Sequence, residues 1–196
     1  MKLTNRAYFA KGKRGVIYTA LLGRKKVAIK VKNPSSHALN RIANEAQFLP
    51  LLNQYGIGPE FVAFEHGQLI YEFVTGPFMH DFFETASKQQ VLNILKAVLR
   101  QMYTLDQLKL NKEEMHHPFK HVIISTKGPV LIDFERMYET PKPHNVTQFV
   151  QCILNMKNEL QRKNVKFNAG ALKRAASAYK KTYGKAEYNK LVALVR

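Results

Sequence analysis

The sequence predicts an α+β protein, with strands in the first part of the chain and helices in the rest. Short β-rich apolar runs recur up to Phe73, whereas apolar residues at helical spacing dominate after Gly76. One short β-hairpin interrupts the helices. We therefore expect a β-rich N-terminal lobe with one helix over residues 1–75, and a helical C-terminal lobe that carries the hairpin over residues 76–196.

Composition suits a folded protein. The 196 residues are 45% hydrophobic and include 12 Phe and 9 Tyr, enough for one core or two small ones. The single cysteine, Cys152, lies in an apolar helical pattern and is predicted to be a small buried core residue. A lone cysteine cannot form an intramolecular disulfide, which favours a reducing compartment for the protein. No secretory signal and no long apolar run are apparent, so we expect a cytoplasmic protein without a membrane partner.

The charge is strongly positive, with 31 Lys and Arg against 14 Asp and Glu. No acidic residue precedes Glu45, and only Glu159 and Glu187 are acidic from Lys157 onward. A field of this sign attracts polyanions, which makes RNA or the ribosome a candidate partner. A solvated basic surface without such a role explains the same charge.

The first lobe is predicted to hold five strands. Residues 1–32 are β-rich, with a turn at Gly23-Arg24, and two further strands are expected at Phe61–Phe64 and Leu69–Phe73. Ser35 or Ser36 is expected to cap a helix that reaches about Tyr55. The apolar residues at helical spacing in this segment are Leu39, Ile42, Ala43, Ala46 and Leu49. Pro50 is expected to kink or shorten the helix.

The second lobe is predicted to begin with a long amphipathic helix whose apolar positions run from Val91 to Leu105. Asn145 and Asn168 are expected to cap two later helices, and Gly184 is expected to end the second of them. A short helix around Leu191 closes the chain. The hairpin pairs Val122–Ile124 with Val130–Ile132 across a Gly-containing turn and leads directly into Asp133.

Three charged residues and a glycine turn suggest a nucleotide site. Lys30 lies in an apolar strand, where an unpaired ammonium is costly, and Glu45 on the following helix is the nearest acid in sequence. Asp133 follows a fully apolar strand. A turn such as Gly12–Gly15, a strand Lys, a helix Glu and a strand-end Asp are the parts of a triphosphate site in which Asp133 holds Mg²⁺.

These residues give the chain a resemblance to the protein-kinase superfamily over roughly Lys11 to Arg136. Val27-Ala28-Ile29-Lys30 matches the V-A-I-K strand, and Asp133-Phe134-Glu135 is similar to D-F-G with Glu in place of Gly. Tyr71–Pro77 resembles the hinge that binds adenine. The short form most resembles the RIO kinases, the kinase of the KEOPS complex and small archaeal proteins described as predicted serine/threonine kinases.

The resemblance implies a two-lobed kinase-like fold with a reduced, helical C-terminal lobe, and it implies ATP and Mg²⁺ as cofactors. The residues expected to bind the nucleotide are Gly12, Gly15, Lys30, Glu45, Glu72 and Val74. Lys30 and Asp133 are expected to be catalytic, with Asp133 on the metal.

The catalytic loop departs from the family pattern. His116 and His121 occupy the positions at which these kinases carry an Asp and an Asn. Glu113, Glu114 and His116 are the candidates to replace the base, and we favour Glu114 and His116. Glu135 is expected to supply the missing metal oxygen, since Mg²⁺ prefers oxygen to imidazole.

The expected function is that of an ATP-dependent phosphotransferase, an atypical RIO-like serine/threonine protein kinase that acts on a protein substrate or on itself. Autophosphorylation and ATP hydrolysis are both compatible with this prediction. The alternative is a nucleotide-binding pseudokinase, or an adaptor associated with RNA or the ribosome. The altered catalytic loop favours the alternative, while the set of Lys30, Glu45 and Asp133 favours the enzyme.

Overall fold

The computed structural model describes residues 1–38 and 40–196 and has an α+β fold, as the sequence predicts. The chain forms two compact units. The first unit contains Met1–Thr75 and Val130–Met137, and the second contains Gly76–Pro129 and Tyr138–Arg196. The break at Thr75 falls where the β-rich pattern ends. The segment 130–137, which the sequence assigns to the helical lobe, belongs to the first unit.

The first unit is built on a five-stranded antiparallel sheet. Its strands are β1 Thr4–Lys11, β2 Gly15–Leu22, β3 Lys25–Lys32, β4 Phe61–Glu65 and β5 Gln68–Glu72. Their order in the sheet is β1-β2-β3-β5-β4. The register places Ile17 opposite Lys30 and Tyr18 opposite Ile29. Because side chains alternate between faces along a strand, Lys30 and Ile29 project from opposite sides of the sheet.

The helix of the first unit, α1, spans Arg41–Asn53. The predicted serine caps are wrong: Asn40 precedes the helix in a left-handed conformation, and no side chain caps it. Ser36 accepts the N–H of Ala38 instead. Pro50 lies inside the helix, which continues for three residues beyond it and buries Leu52. Leu39, predicted to lie on the apolar face, falls outside the described residues.

The second unit is mainly helical, and the predicted hairpin is present. Its helices are α2 Met79–Thr85, α3 Lys88–Gln107, α4 Asn145–Asn155, α5 Lys157–Arg162, α6 Ala169–Thr182 and α7 Lys185–Ala193. Two short strands, β6 Leu110–Asn111 and β9 Tyr138–Glu139, pair with each other. The hairpin strands are β7 Val122–Ser125 and β8 Gly128–Leu131, the second of which continues into the first unit.

Capping follows the sequence only in part. Asn168 accepts the N–H of Ala171 as predicted, and Ser87 forms an unpredicted capping box at the start of α3. Gly184 does not end α6, because Tyr183 takes the left-handed position and Gly184 precedes α7. The predicted Asn145 cap is also wrong, since this residue lies inside α4 and its side chain is used elsewhere.

A buried polar network surrounds Asp106 on α3. The Asn145 backbone and side-chain N–H groups donate to Asp106 Oδ1 at 3.0 and 2.7 Å, and the Tyr179 hydroxyl donates to Oδ2 at 3.0 Å. The Asn145 amide also donates to the Leu110 carbonyl and accepts the Lys112 N–H. One buried carboxylate thus connects α3 with α4 and α6.

Within the described residues, no helix has both the length and the apolar character needed to cross a lipid bilayer.

Candidate functional site

The candidate site lies in the first unit, around the ammonium group of Lys30. This side chain is almost fully buried, and its Nζ lies 2.6 Å from Glu45 Oε2 and 2.8 Å from Asp133 Oδ1. Glu135 Oε2 lies 3.3 Å away. The predicted Lys30–Glu45 pair is therefore present, and the segment 130–137 adds two further carboxylates that sequence proximity did not suggest.

The carboxylates decide the protonation of Lys30. Burial is the largest single influence and lowers the pKa of Lys30, but the negative charges around the ammonium, chiefly those of Glu45 and Asp133, together outweigh burial and raise this pKa well above its usual value. The lysine is consequently charged throughout the physiological range. Burial and the charge of Glu45 also raise the pKa of the neighbouring Tyr71, which keeps that hydroxyl neutral.

Glu45 holds two parts of the site in place, the Lys30 ammonium and the segment that follows β8. Its second oxygen, Oε1, accepts the backbone N–H of Phe134 at 3.1 Å, and the Phe134 ring is completely buried. A Cβ atom at Gly58 would lie 2.8 Å from Leu49 and 3.0 Å from Phe134. The glycine therefore leaves space for the ring, and the buried ring anchors the neighbouring Asp133.

Asp133 has a left-handed backbone conformation, with φ of 65°. Such a φ is uncommon for a residue other than glycine and persists where the surroundings impose it. Its side chain is about one-third exposed, at 36%, whereas that of Glu135 is only 7% exposed. Of these two predicted metal ligands, Asp133 is therefore the one whose carboxylate is open to solvent.

The Gly12–Gly15 turn lies next to Lys30. Gly12 donates its N–H to the Gly15 carbonyl at 2.8 Å, and a Cβ atom at Gly15 would lie 3.1 Å from Lys30 Cε. Asn33 holds the turn in place, because its buried amide donates to the Gly12 carbonyl at 3.0 Å and its N–H donates to the Arg14 carbonyl. Sequence reasoning missed Asn33, since an Asn after a strand is usually a turn residue.

The same turn presents Arg14 to Glu135. The Arg14 Nη1 atom lies 3.1 Å from Glu135 Oε1. Glu135, predicted to bind metal, is thus engaged by two cations. With Lys30 and Arg14 opposed by three carboxylates, the cluster carries a formal charge of −1 when all five groups are ionised.

An aromatic pair lies near the predicted hinge. The Phe9 and Phe73 rings meet edge to face with centroids 5.0 Å apart, and Lys26 Nζ lies 4.2 Å above the Phe73 ring. Phe73 is flanked by Glu72, the last residue of β5, and by the half-buried Val74. Both predicted hinge residues are therefore neighbours in sequence of a half-buried ring, Phe73, which contacts the exposed Phe9.

The other predicted catalytic residues belong to the second unit. Glu114 has φ of 70°, and its Oε2 lies 3.8 Å from His121 Nε2. His116 is exposed, with its ring edge-on to that of His117. Lys112, which the sequence reasoning did not single out, is 2% exposed. This loop therefore contains a nearly fully buried lysine two residues before Glu114.

No protein-family model matches the chain, and no curated protein matches it either. The assignment of a function therefore depends on the residues themselves. Among residues 1–38 and 40–196, no group of three or more His, Cys, Asp or Glu side chains has the arrangement of a metal-binding cluster. A metal ion at Asp133 would accordingly need oxygen ligands from a bound nucleotide or from water.

Proposed function

We propose that the protein is an ATP-dependent phosphotransferase with a kinase-like two-lobed fold. The observation that carries this proposal is the buried Lys30, which is held by Glu45 from α1 and by the partly exposed Asp133 after β8. A structural ion pair needs only one acid. A second, solvent-accessible carboxylate at 2.8 Å is better explained by a ligand that uses the lysine and the acid together.

In the proposed reaction, a substrate hydroxyl oxygen bonds to the γ-phosphorus of ATP, and the bond from this phosphorus to the β–γ bridging oxygen breaks, releasing ADP. Lys30 would neutralise phosphate oxygens, with Glu45 keeping its ammonium in place. The glycine turn would bring backbone N–H groups close to the phosphates. Phe9 and Phe73 would contact the adenine ring, and Glu72 and Val74 would contact its edge.

The chemistry of Asp133 fits a hard cation. Its carboxylate would hold Mg²⁺, which, when bound, offsets the negative charge of the phosphates. Glu135 would remain with Arg14 and Lys30. Glu114 and His116 stay the sequence-based candidates for the group that accepts the hydroxyl proton. The acceptor substrate is proposed to be a protein serine or threonine, including one of this chain.

The second candidate function is nucleotide binding without turnover, and the crowding of Lys30 favours it. Three carboxylate oxygens lie within 3.3 Å of Nζ, so the ammonium must leave at least one of them to contact a phosphate. A nucleotide bound while Lys30 stays paired with Asp133 would lack the phosphate contact of the lysine, so ATP would bind without catalysis.

The two functions are separated by assaying the purified chain for ATP binding and for transfer of labelled γ-phosphate in the presence of Mg²⁺. We expect Lys30→Ala and Asp133→Asn to lower turnover by about 100-fold or more, as loss of a phosphate-stabilising group does. Lys32→Ala is the matched control, since this exposed lysine lies two residues further along β3.

Binding of ATP by the wild type without any transfer or hydrolysis would favour the second candidate. Turnover that survives both substitutions would refute the assignment of Lys30 and Asp133. Circular dichroism of each variant is the control for folding, and only variants with the wild-type spectrum are compared.

A further inference from the structure

The sheet carries a second exposed surface on the face opposite Lys30. The register places Tyr8 opposite Tyr18, and Tyr18 opposite Ile29. These three residues therefore share a face, while Lys30 and Ile17 share the other. Lys11 pairs with Val16, two residues from Tyr18, which places Lys11 on the same face as Tyr18.

This surface combines aromatic rings with cations. Tyr8 is 64% exposed and meets the Tyr18 ring edge to face. The Arg6 guanidinium lies 4.4 Å from the centroid of the Tyr18 ring. We call Arg6, Tyr8, Lys11 and Tyr18 the outer aromatic face. On β1 this face presents a cation, an aromatic ring and a second cation in turn, namely Arg6, Tyr8 and Lys11. These residues extend over about 17 Å at the usual strand rise of about 3.3 Å per residue.

The charge of the surroundings indicates what this face would bind. No acidic residue precedes Glu45, so β1, β2 and β3 contain no acids, while β1 and β3 together carry six Lys and Arg residues. β1 is an edge strand and is exposed on both faces along almost its whole length. An exposed tyrosine at the centre of a cationic row has no evident role in packing, because Ile29 and Ile70 form the core of this face without it.

We propose that the outer aromatic face binds single-stranded nucleic acid. Tyr8 would stack on a base, and Arg6 and Lys11 would contact the phosphates on either side. Aromatic stacking beside a positively charged track is the general mode by which proteins hold single strands without reading their sequence. Because the face lies on the side of the sheet opposite Lys30, this binding is independent of the proposed phosphotransferase activity.

The test is fluorescence polarisation with labelled single-stranded oligonucleotides of about ten nucleotides, a length within the usual site size. We expect Tyr8→Ala to weaken binding about 5- to 150-fold, since one stacked base contributes about that much. Tyr8→Phe, which keeps the ring, should bind within about twofold of the wild type. Tyr55→Ala, at a tyrosine 50% exposed after α1, is the matched control and should leave binding unchanged.

Salt and ligand type supply further readouts. Arg6→Ala and Lys11→Ala should each reduce the slope of log affinity against log salt by about 0.7, the value per released counterion on a single strand. RNA and DNA oligonucleotides of one sequence show whether the 2′-hydroxyl contributes, and binding of either supports the proposal. None of these variants should change binding of an ATP analogue.

Wild-type protein that binds no oligonucleotide at low ionic strength would overturn the proposal, as would Tyr8→Ala that binds as tightly as the wild type. The exposed edge of β1 would then be better explained by a protein strand that pairs with it.

Discussion

Replacement of Glu45 tests the physical basis of the site most directly. This carboxylate bonds to Lys30 through Oε2 at 2.6 Å and to the Phe134 N–H through Oε1 at 3.1 Å. Removing one partner of a buried ion pair costs about 3–5 kcal/mol. Asp133 and Glu135 remain close to the ammonium, so we expect about 2 kcal/mol from the lost pair.

Glu45→Ala also leaves the Phe134 N–H without its acceptor, at a cost of about 1–3 kcal/mol. The expected loss of unfolding free energy is therefore about 3–5 kcal/mol for Glu45→Ala. For Glu45→Gln it is about 2 kcal/mol, because the amide oxygen still accepts the N–H. Urea titrations followed by circular dichroism measure both values. Glu65→Ala, at an exposed acid that ends β4, should stay within about 0.5 kcal/mol of the wild type.

The pH dependence gives an independent check. The pKa of Lys30 is raised in the folded protein, so its contribution is fully present below about pH 10.4, the pKa of an unfolded lysine. The contribution is lost as the pH rises through the folded value. The advantage of the wild type over Glu45→Ala should thus shrink above about pH 10.4. Equal stabilities of the wild type and Glu45→Ala at neutral pH would refute the reasoning.

Three further predictions concern other parts of the chain. Gly58→Ala should lower the free energy of unfolding by about 2–4 kcal/mol, because Gly58 has a positive φ and the new methyl group would contact its neighbours too closely. Gly67 also has a positive φ but has open space around it, so Gly67→Ala should cost only about 1 kcal/mol. Equal costs of the two substitutions in urea titrations would contradict this prediction. Burial raises the pKa of Asp106, although the Asn145 hydrogen bonds oppose the rise. The contribution of Asp106 to the free energy of unfolding is therefore full below about pH 4 and declines as the pH rises through the raised pKa. The stability advantage of the wild type over Asp106→Asn should therefore be greatest below about pH 4 and shrink as the pH rises, and an advantage that grows with pH would contradict this prediction. Burial raises the pKa of the Cys152 thiol to about 12. A thiol reagent should therefore label Cys152 only after urea has unfolded the protein. Rapid labelling of the native protein would show that the thiol is accessible and would contradict this prediction.

The sequence alone determined much of the fold and the centre of the candidate site. The five strands, the long helix α3 and the hairpin follow from apolar periodicity, which is a local property of the chain. The pair of Lys30 and Glu45 followed from the cost of burying an ammonium without a counter-charge. The starts of the helices were less predictable, because the side chains of the predicted caps bond to other groups. Ser36 accepts the N–H of Ala38, and the Asn145 amide donates to Asp106.

Only the tertiary structure decided how many charges meet at Lys30. Asp133 and Glu135 lie more than 100 residues further along the chain, and no local pattern states that their segment returns to the unit that contains β3. Arg14 was missed for the same reason, since its partner Glu135 belongs to that segment, whereas Asn33 was missed because an Asn after a strand is usually a turn residue. Periodicity reports which face of an element is buried, whereas the sharing of charges depends on contacts distant in sequence, which periodicity does not report.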